Sequence, residues 1–398
     1  MSSIQIFSGR LVDYKQRIKR EICNHGIAMV ILLLFPVVVG FNKQEVKKNT
    51  YVSSVKGSKI VAAKEVTTYP DRPSAKYRLE AVDQGVVYKH GEGPDSCDYL
   101  GARDVWVWKY GDTYYMHYDG AGPKGWLACL AVSKDLMNWS AKGPVLQLGK
   151  PGSNDCASAS YGTVSFDGKK WHMFYLGTPN VTPAPNDIPA LPYFTMNAES
   201  TSPIGPWIKH YDITPFKTKL GSYYSEVASP GCVVKQGDEY LMFFAASPGP
   251  PNFLRSLSIA HTHNLEGPWI PDPKPILPME EQIENSSLYF EKTNHTYFLF
   301  TNHLGLKDGL EYADAIWVYW SKDLTKWDYA HKAVVLDYHN CKWSKIIGLP
   351  SVIKVENRLA IFYDGNAAPK LPSDIIKSHM NRDIGLAWLN LPLIPPEK

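Results

Sequence analysis

Alternating apolar and polar positions recur along most of the chain, in pairs of short runs joined by a tight polar turn. The first pair, DVWVWKYGDTYYMHYDG at 104–120, turns at Gly111. Four similar pairs turn at Gly168, Gly237, Asn294 and Asn357, so that successive turns are 57 to 69 residues apart. Two alternating runs around a tight turn predict a β-hairpin. The chain therefore repeats one hairpin-based element five times.

A third apolar run follows each hairpin, and in the first four copies it leads to a tryptophan: Trp139, Trp207, Trp269 and Trp327. Repeats of this length with three or four strands are typical of the blades of a β-propeller. We therefore expect an all-β fold, a five-bladed β-propeller, with these tryptophans packed between blades. The strand at 85–90 has no hairpin of its own, and we expect it to complete the last blade and close the ring.

The composition agrees with an all-β globular domain and argues against nucleic-acid binding. Aromatic residues make up 13% of the 398 residues and charged residues only 20%. The net charge of +3 arises in the first 40 residues, where five basic side chains outnumber two acidic ones. Because the remainder is balanced, the sequence predicts no basic surface that would attract a nucleic acid.

The N-terminal residues have the pattern of an export signal. A basic segment precedes an apolar run at 27–41, which is shorter than the roughly 20 residues that a spanning helix needs. We interpret residues 1–41 as a signal peptide, with an uncleaved N-terminal anchor as the alternative. Residues 42–84, rich in Lys, Ser and Thr, are interpreted as a linker, and residues 85–398 as the propeller domain. We expect a secreted, periplasmic or cell-surface protein that meets a membrane only through such an anchor.

The cysteine spacing contains no zinc-binding pattern. Outside the N-terminal 41 residues the chain has Cys97, Cys129, Cys156, Cys232 and Cys341. One disulfide could form in an oxidising compartment, for example between Cys97 and Cys156, although the sequence alone does not assign it. Cys129 and Cys232 lie inside strand patterns and are expected to be buried thiols.

Propeller geometry predicts which residues share one face of the domain. The residue before each first strand, the end of each second strand and the start of each third strand collect there. This face would carry Asp104, Tyr161, Glu226, Ser229, Glu284, Leu349, Asp119, His303, Asp364, Arg255, Asp314, Arg382 and Asp383. Carboxylates with a few basic and aromatic groups suit a sugar-sized pocket. The proline-rich insertion at 178–192 opens on the same face, either as a wall of that pocket or as a stiff surface loop.

These features resemble the five-bladed propeller glycosidases, which include glycoside hydrolase families 43, 32, 62 and 117. The phrases YDGAG, AVSKDLMNW and ENSSLYF carry the resemblance, which covers about residues 85–393. The resemblance to family 43 implies an Asp general base at the start of the first blade and a Glu general acid at the start of the fourth. Asp104 and Glu284 match these two positions.

The third blade departs from the family pattern. An Asp that tunes the pKa of the acid would precede a proline there, whereas this chain has Ser229-Pro230. Glu226 is the nearest carboxylate and becomes the candidate for this role, with Asp314 as the alternative. We expect substrate contacts from Asp119, Tyr161, Arg255, His303, Asp314 and Arg382.

Two opposed carboxyl groups are what the hydrolysis of a glycosidic bond needs, about 6.5–9.5 Å apart for inversion and about 5–5.5 Å apart for retention. We expect an inverting glycosidase that removes terminal sugars from plant or algal oligosaccharides or polysaccharides. No cofactor is required, and no metal-ligand motif is present, although the resemblance allows a structural Ca²⁺. The alternative is a carbohydrate-binding propeller without catalysis, which the departure in the third blade favours.

Overall fold

The computed structural model describes residues 56–69, 72–213, 215–250, 253–307, 310–367 and 379–397. The expected signal peptide or anchor at 1–41 lies outside these residues. Strands dominate the described chain, with short 3-10 helices at Pro94–Ser96 and Met279–Glu281, which confirms the all-β prediction. No helix among the described residues is long and apolar enough to cross a membrane.

The strands are short and mostly antiparallel, as the alternating pattern predicts. The first thirteen are β1 Val61–Tyr69, β2 Arg72–Arg78, β3 Val82–Tyr88, β4 Gly101–Tyr110, β5 Thr113–Gly122, β6 Gly125–Ser133, β7 Ser140–Pro144, β8 Ser158–Phe166, β9 Trp171–Thr178, β10 Asn180–Val181, β11 Pro189–Ala190, β12 Phe194–Ser200 and β13 Ile208–Lys209. The next seven are β14 Val227–Ser229, β15 Val233–Gln236, β16 Glu239–Ser247, β17 Ser256–Thr262, β18 Ile270–Pro271, β19 Ile283–Glu291 and β20 Thr296–His303. The last seven are β21 Gly305–Lys307, β22 Leu310–Tyr312, β23 Ile316–Ser321, β24 Lys332–Leu336, β25 Ile346–Val355, β26 Arg358–Asn366 and β27 Asp383–Asn390.

These strands form five successive antiparallel groups in the part of the chain that the structure describes. The groups are β4 to β7; β8, β9, β12 and β13; β14 to β18; β19, β20, β23 and β24; and β25, β26, β27 and β3. The first strand of each group lies against the preceding group, and the fifth group lies against β4. β3 pairs antiparallel with β27, so the predicted contribution of this strand to the last group is confirmed.

The described part of the predicted linker is not a linker. β1 and β2 pair with each other, and β2 continues the fourth group by pairing parallel with β24. The prediction failed because this segment lacks a simple alternating pattern. Its Arg72 and Arg78 pair instead with the carboxylates of Glu281 and Asp337, more than two hundred residues along the chain.

The four repeated tryptophans pack between neighbouring groups, as predicted. Each ring meets, edge to face, a ring on the second strand of the preceding group, a favourable aromatic geometry. The ring centroids are 5.7 Å apart for Trp139 and Phe362, 5.9 Å for Trp207 and His117, 5.5 Å for Trp269 and Phe174, and 6.3 Å for Trp327 and Phe243.

The described cysteines are free thiols. Cys129 and Cys232 are buried, which confirms the prediction from their strand patterns. The disulfide considered between Cys97 and Cys156 is not formed. Cys97 lies instead in an apolar cluster that also contains Cys129.

Candidate active site

A β-bulge interrupts the innermost strand near its start in the first, second, fourth and fifth groups. In the first group the extra residues are Asp104 and Val105. The corresponding residues in the other three groups are Tyr161, Asn285 with Ser286, and Leu349 with Pro350. In the third group a break at residues 230–232 separates β14 from β15. Because bulges bend a strand and re-aim its side chains, the residues predicted to share a face sit where the regular ladder stops.

Asp104 adopts a backbone conformation that few residues tolerate. Its φ is 54°, and Asn285 at the corresponding position of the fourth group has a φ of 59°. Asp and Asn are enriched in this left-handed region, which costs a residue of order 1–3 kcal/mol. The N–H of Asp104 donates to Oδ2 of Asp364 at 2.7 Å. The fifth group therefore anchors the bulge that presents Asp104.

A cavity of about 40 Å³ lies beside Asp104. The first, fourth and fifth groups and the segment before β27 line it, through Arg103, Asp104, Asn285, Leu349, His379 and Arg382, among others. This volume is small against the roughly 300–1,000 Å³ of ordinary ligand pockets. A sugar ring would therefore enter only if side chains around the cavity move.

Burial and neighbouring charges shift the pKa of the Asp104 carboxyl group. Burial raises its pKa to about 6, a rise that the guanidinium of Arg103 opposes and the charges of Asp364 and Glu284 increase. Nε of Arg103 lies 3.4 Å from Oδ2 of Asp104. The charge of Glu284 makes the smallest of these contributions. Asp104 is ionised at neutral pH and becomes protonated in mild acid.

Three arginines bring positive charge to the same region, and each pairs with a carboxylate. Nε of Arg103 lies 3.3 Å from Oδ2 of Asp119, Nη1 of Arg382 lies 2.6 Å from Oδ1 of Asp364, and Nη1 of Arg255 pairs with Oε1 of Glu284. Paired charges are far less costly to bury than isolated ones. The cavity is thus surrounded by ion pairs and not by a field of one sign.

His379 lies among these arginines. Burial and the charges of Arg103, Arg382 and Arg255 hold its pKa well below the ordinary value, so its ring is neutral. Nδ1 of this neutral ring accepts a hydrogen bond from Nη1 of Arg103. His379 was not among the predicted site residues, because no pattern around it in the sequence indicates that it lies against the first group.

A chain of hydrogen bonds links the second group to the fourth. The hydroxyl of Tyr161 lies 3.3 Å from Oδ1 of Asn285, whose Nδ2 donates to Oδ1 of Asn302 at 3.0 Å. Burial, together with the charges of Asp104 and Glu284, raises the pKa of Tyr161 well above its usual range. Tyr161 therefore remains a neutral phenol that can donate a hydrogen bond.

Two residues predicted to bind substrate are buried behind other polar groups. Asp119 has no exposed surface and supports Arg103, and burial raises its pKa to about 7 against the opposing charge of that arginine. His303 is equally buried, with Nδ1 2.6 Å from Oδ1 of Asp314. In this structure both residues can act on a ligand only through their partners.

Glu226 lies half-buried directly before β14, where its backbone carbonyl accepts from the N–H of Tyr193 at 2.9 Å. Tyr193 in turn lies under the guanidinium of Arg255, 5.6 Å from its ring centroid. The carboxylate that contacts the backbone of Asp104 is Asp364 and not Glu226.

The proline-rich insertion forms the small β10–β11 hairpin and packs on this face. Ile188 is buried against Trp126, whose Nε1 donates to the carbonyl of Asn186 at 2.9 Å. The guanidinium of Arg103 lies over the same tryptophan, 4.0 Å from the ring centroid. The insertion thus supports Arg103 from behind, which neither of the two interpretations of this segment anticipated.

Comparison with known proteins gives no match in sequence: no protein-family model matches the chain, and no curated protein does. Solved structures do match. BT0996, in a complex with RGII, has a TM-score of 0.56 at 17% identity, over 79% of this protein and 96% of that one. The catalytic domain of a family 62 α-L-arabinofuranosidase from Coprinopsis cinerea has a TM-score of 0.56 at 13% identity, over 78% and 97%. Zg3597, a family 117 glycoside hydrolase from the marine bacterium Zobellia galactanivorans, has a TM-score of 0.53 at 13% identity, over 79% and 91%.

The chain shares its fold with these proteins. The likeness spans nearly the whole length of each matched protein, whereas the low identity carries no information about individual residues. The resemblance seen in the sequence is therefore confirmed at the level of the fold.

The family resemblance allows a structural Ca²⁺ ion. The described residues contain no group of three or more His, Cys, Asp or Glu side chains placed to hold an ion. Calcium requires six to eight oxygen ligands, usually with several carboxylates. The structural Ca²⁺ that the resemblance allowed stays a prediction.

Proposed function

We propose that this chain is an exported glycoside hydrolase built on a five-bladed β-propeller, with the five strand groups as its blades. The observation that carries the proposal is the position of Asp104 on a β-bulge at a cavity, in a fold that glycosidases share. Glu284 lies on the fourth group, directly before Asn285, which lines the same cavity. Export is proposed from the N-terminal sequence pattern alone.

The proposed reaction inverts the anomeric centre. Ionised Asp104 takes a proton from a water molecule while the oxygen of that water bonds to the anomeric carbon. Glu284 pairs with Arg255 in this structure, so the proposal requires that a bound sugar separate this pair. Glu284 then takes up a proton and gives it to the leaving oxygen as the bond to the anomeric carbon breaks. The pKa of about 6 for Asp104 leaves it ionised, and hence competent as the base, at neutral pH.

The proposed substrate is a neutral terminal sugar of a plant or algal polysaccharide fragment. Arg103, Arg255 and Arg382 already carry carboxylate partners, so the cavity suits hydroxyl groups better than an anionic substituent. Matched structures include an α-L-arabinofuranosidase, which agrees with a small neutral sugar. Direct contacts are assigned to Tyr161, Asp314 and these arginines, while Asp119 and His303 support their partners. Glu226 stays a prediction as the third carboxylate.

The test is the release of reducing sugar from a panel of aryl glycosides and plant and algal oligosaccharides. On an oligosaccharide that the wild type cleaves, Asp104→Asn and Glu284→Gln should each lower kcat/KM by about 10²–10⁴-fold, the range for loss of a general acid or base. The matched control is Asp383→Asn, a carboxylate that pairs with His90 outside the cavity. Activity that survives both site substitutions would contradict the assignment.

The second candidate function is sugar binding without catalysis. It is favoured by the small cavity and by the engagement of both carboxylates, Asp104 by Arg103 and Glu284 by Arg255. Measurable sugar binding by the wild type and by both variants, with no hydrolysis of any substrate in the panel, would establish this alternative.

A further inference from the structure

The N-terminal arm, defined here as β1 and β2, is attached to the fourth blade by a buried arginine. The side chain of Arg72 has 0% exposure, and its guanidinium lies over the ring of Trp317, 3.5 Å from the centroid. A fully buried guanidinium is costly unless it is paired. Its ionic partner is therefore expected to be held firmly.

That partner is Glu281, with a side chain that is 1% exposed. Nη2 of Arg72 donates to Oε2 of Glu281 at 3.0 Å, and the hydroxyl of Tyr319 donates to the same oxygen at 2.5 Å. Nζ of Lys332 donates to Oε1 at 2.7 Å. Three donors, one each from the N-terminal arm, β23 and β24, thus bind the carboxylate of Glu281 and fix its position.

Glu281 begins the short segment that presents the proposed acid. It ends the 3-10 helix Met279–Glu281, and Gln282 then turns the chain with a left-handed φ of 50°. The carbonyl of Gln282 accepts from the N–H of Leu304 at 2.8 Å, and the N–H of Ile283 donates to the carbonyl of Arg255 at 3.2 Å.

Glu284 follows at once, three residues after Glu281. The backbones of Gln282 and Ile283, the two residues between them, are hydrogen bonded to neighbouring segments. The segment therefore has little freedom to move. A displacement of Glu281 is therefore passed on to Glu284, and to the pair that Glu284 makes with Arg255.

We propose that Arg72 is a positioning residue that acts through Glu281 to hold the carboxyl group of Glu284 in the active site. The inference rests on the proposed function, in which Glu284 protonates the leaving oxygen. A general acid must lie within hydrogen-bonding reach of that oxygen, and a misplacement of about 1 Å from a distant substitution can cost about 100-fold in rate.

A misplaced Glu284 and a general loss of structure would both lower activity, but they predict a different dependence of the rate on the leaving group. A dinitrophenyl glycoside releases a stable phenolate and needs little protonation, whereas an alkyl or sugar leaving group depends on the acid. A variant with a misplaced Glu284 should therefore be impaired on the second class of substrate and nearly normal on the first.

The experiment compares kcat and KM of the wild-type full chain, Arg72→Met and Glu284→Gln on both classes of glycoside. We expect Arg72→Met to lose about 10- to 100-fold in kcat on the poor leaving group and less than about threefold on the dinitrophenyl substrate. Glu284→Gln should show the same selectivity with a larger loss. The matched control is Arg78→Met. Arg78 lies on the same arm and its Nη1 is 2.9 Å from Oδ2 of Asp337, so its substitution should produce no such selectivity.

Equal losses on both substrates for Arg72→Met, with selectivity intact in Glu284→Gln, would overturn the positioning role and leave the glycosidase assignment standing. Absence of selectivity in Glu284→Gln itself would overturn the role of Glu284 and the inference with it. If Arg72→Met fails to fold, Glu281→Gln decides the question. This variant keeps the size of the side chain and an oxygen acceptor but removes the charge, and a folded Glu281→Gln without leaving-group selectivity would contradict the proposal.

Discussion

The sequence identifies Asp104 as a candidate catalytic residue, but it does not reveal which groups surround its side chain and backbone. Its place at the start of the first repeat, where the family resemblance implies a general base, singles it out. Its left-handed backbone and its contact with Asp364 do not appear in the sequence, because that contact joins residues 260 positions apart. Arg103 and His379 likewise meet only in the folded chain. The candidate acid and base were therefore predictable, and the ion pairs that tune them were not.

The raised pKa of Asp104 predicts the pH dependence of activity. Because the base must be ionised, kcat/KM should fall tenfold per pH unit below about pH 6. Asp364→Asn removes a negative charge that raises this pKa, so the acid limb should move to lower pH, while Asp383→Asn should leave it in place. A limb that stays near pH 6 in Asp364→Asn, or moves to higher pH, would contradict the electrostatic account.

At the scale of elements, the inter-blade tryptophans were predictable because each follows a third strand at a regular position. The N-terminal arm was not, because its pairing with β24 depends on buried charges from distant parts of the chain. The bulges also escaped prediction. They interrupt the pairing without interrupting the hydrophobic pattern, as at Asn285 and Ser286.

The packing of Trp269 can be tested against its immediate neighbour. Trp269 is 4% exposed and meets Phe174 of the preceding group, whereas Ile270 is 67% exposed. Trp269→Ala should lower the free energy of unfolding by about 3–5 kcal/mol because it leaves a cavity between blades, and Ile270→Ala should change it by less than about 0.5 kcal/mol. Denaturant unfolding followed by far-UV circular dichroism measures both. Equal effects would show that the tryptophan does not hold the two groups together.

At the scale of the whole molecule, the ring depends on joining the two ends of the chain. β3 precedes the first group in sequence and completes the fifth, and the backbone of Ser58 and Ile60 pairs with Asn390 and Ile394. The sequence predicted the first of these closures, because a lone strand needs a partner. It did not predict the second, because residues 56–60 carry no strand pattern of their own. Closure brings the fifth group against the first, so that Asp364 can accept a hydrogen bond from the N–H of Asp104.

The most direct test of the central claim is the anomeric configuration of the first product, followed by NMR spectroscopy during hydrolysis by the wild-type protein. Asp104 acting as base on water, with Glu284 as acid, predicts that the sugar is released with inverted configuration and then mutarotates. Release with retained configuration would contradict the roles assigned to the two carboxylates. Release of no sugar from any substrate would contradict the glycosidase itself.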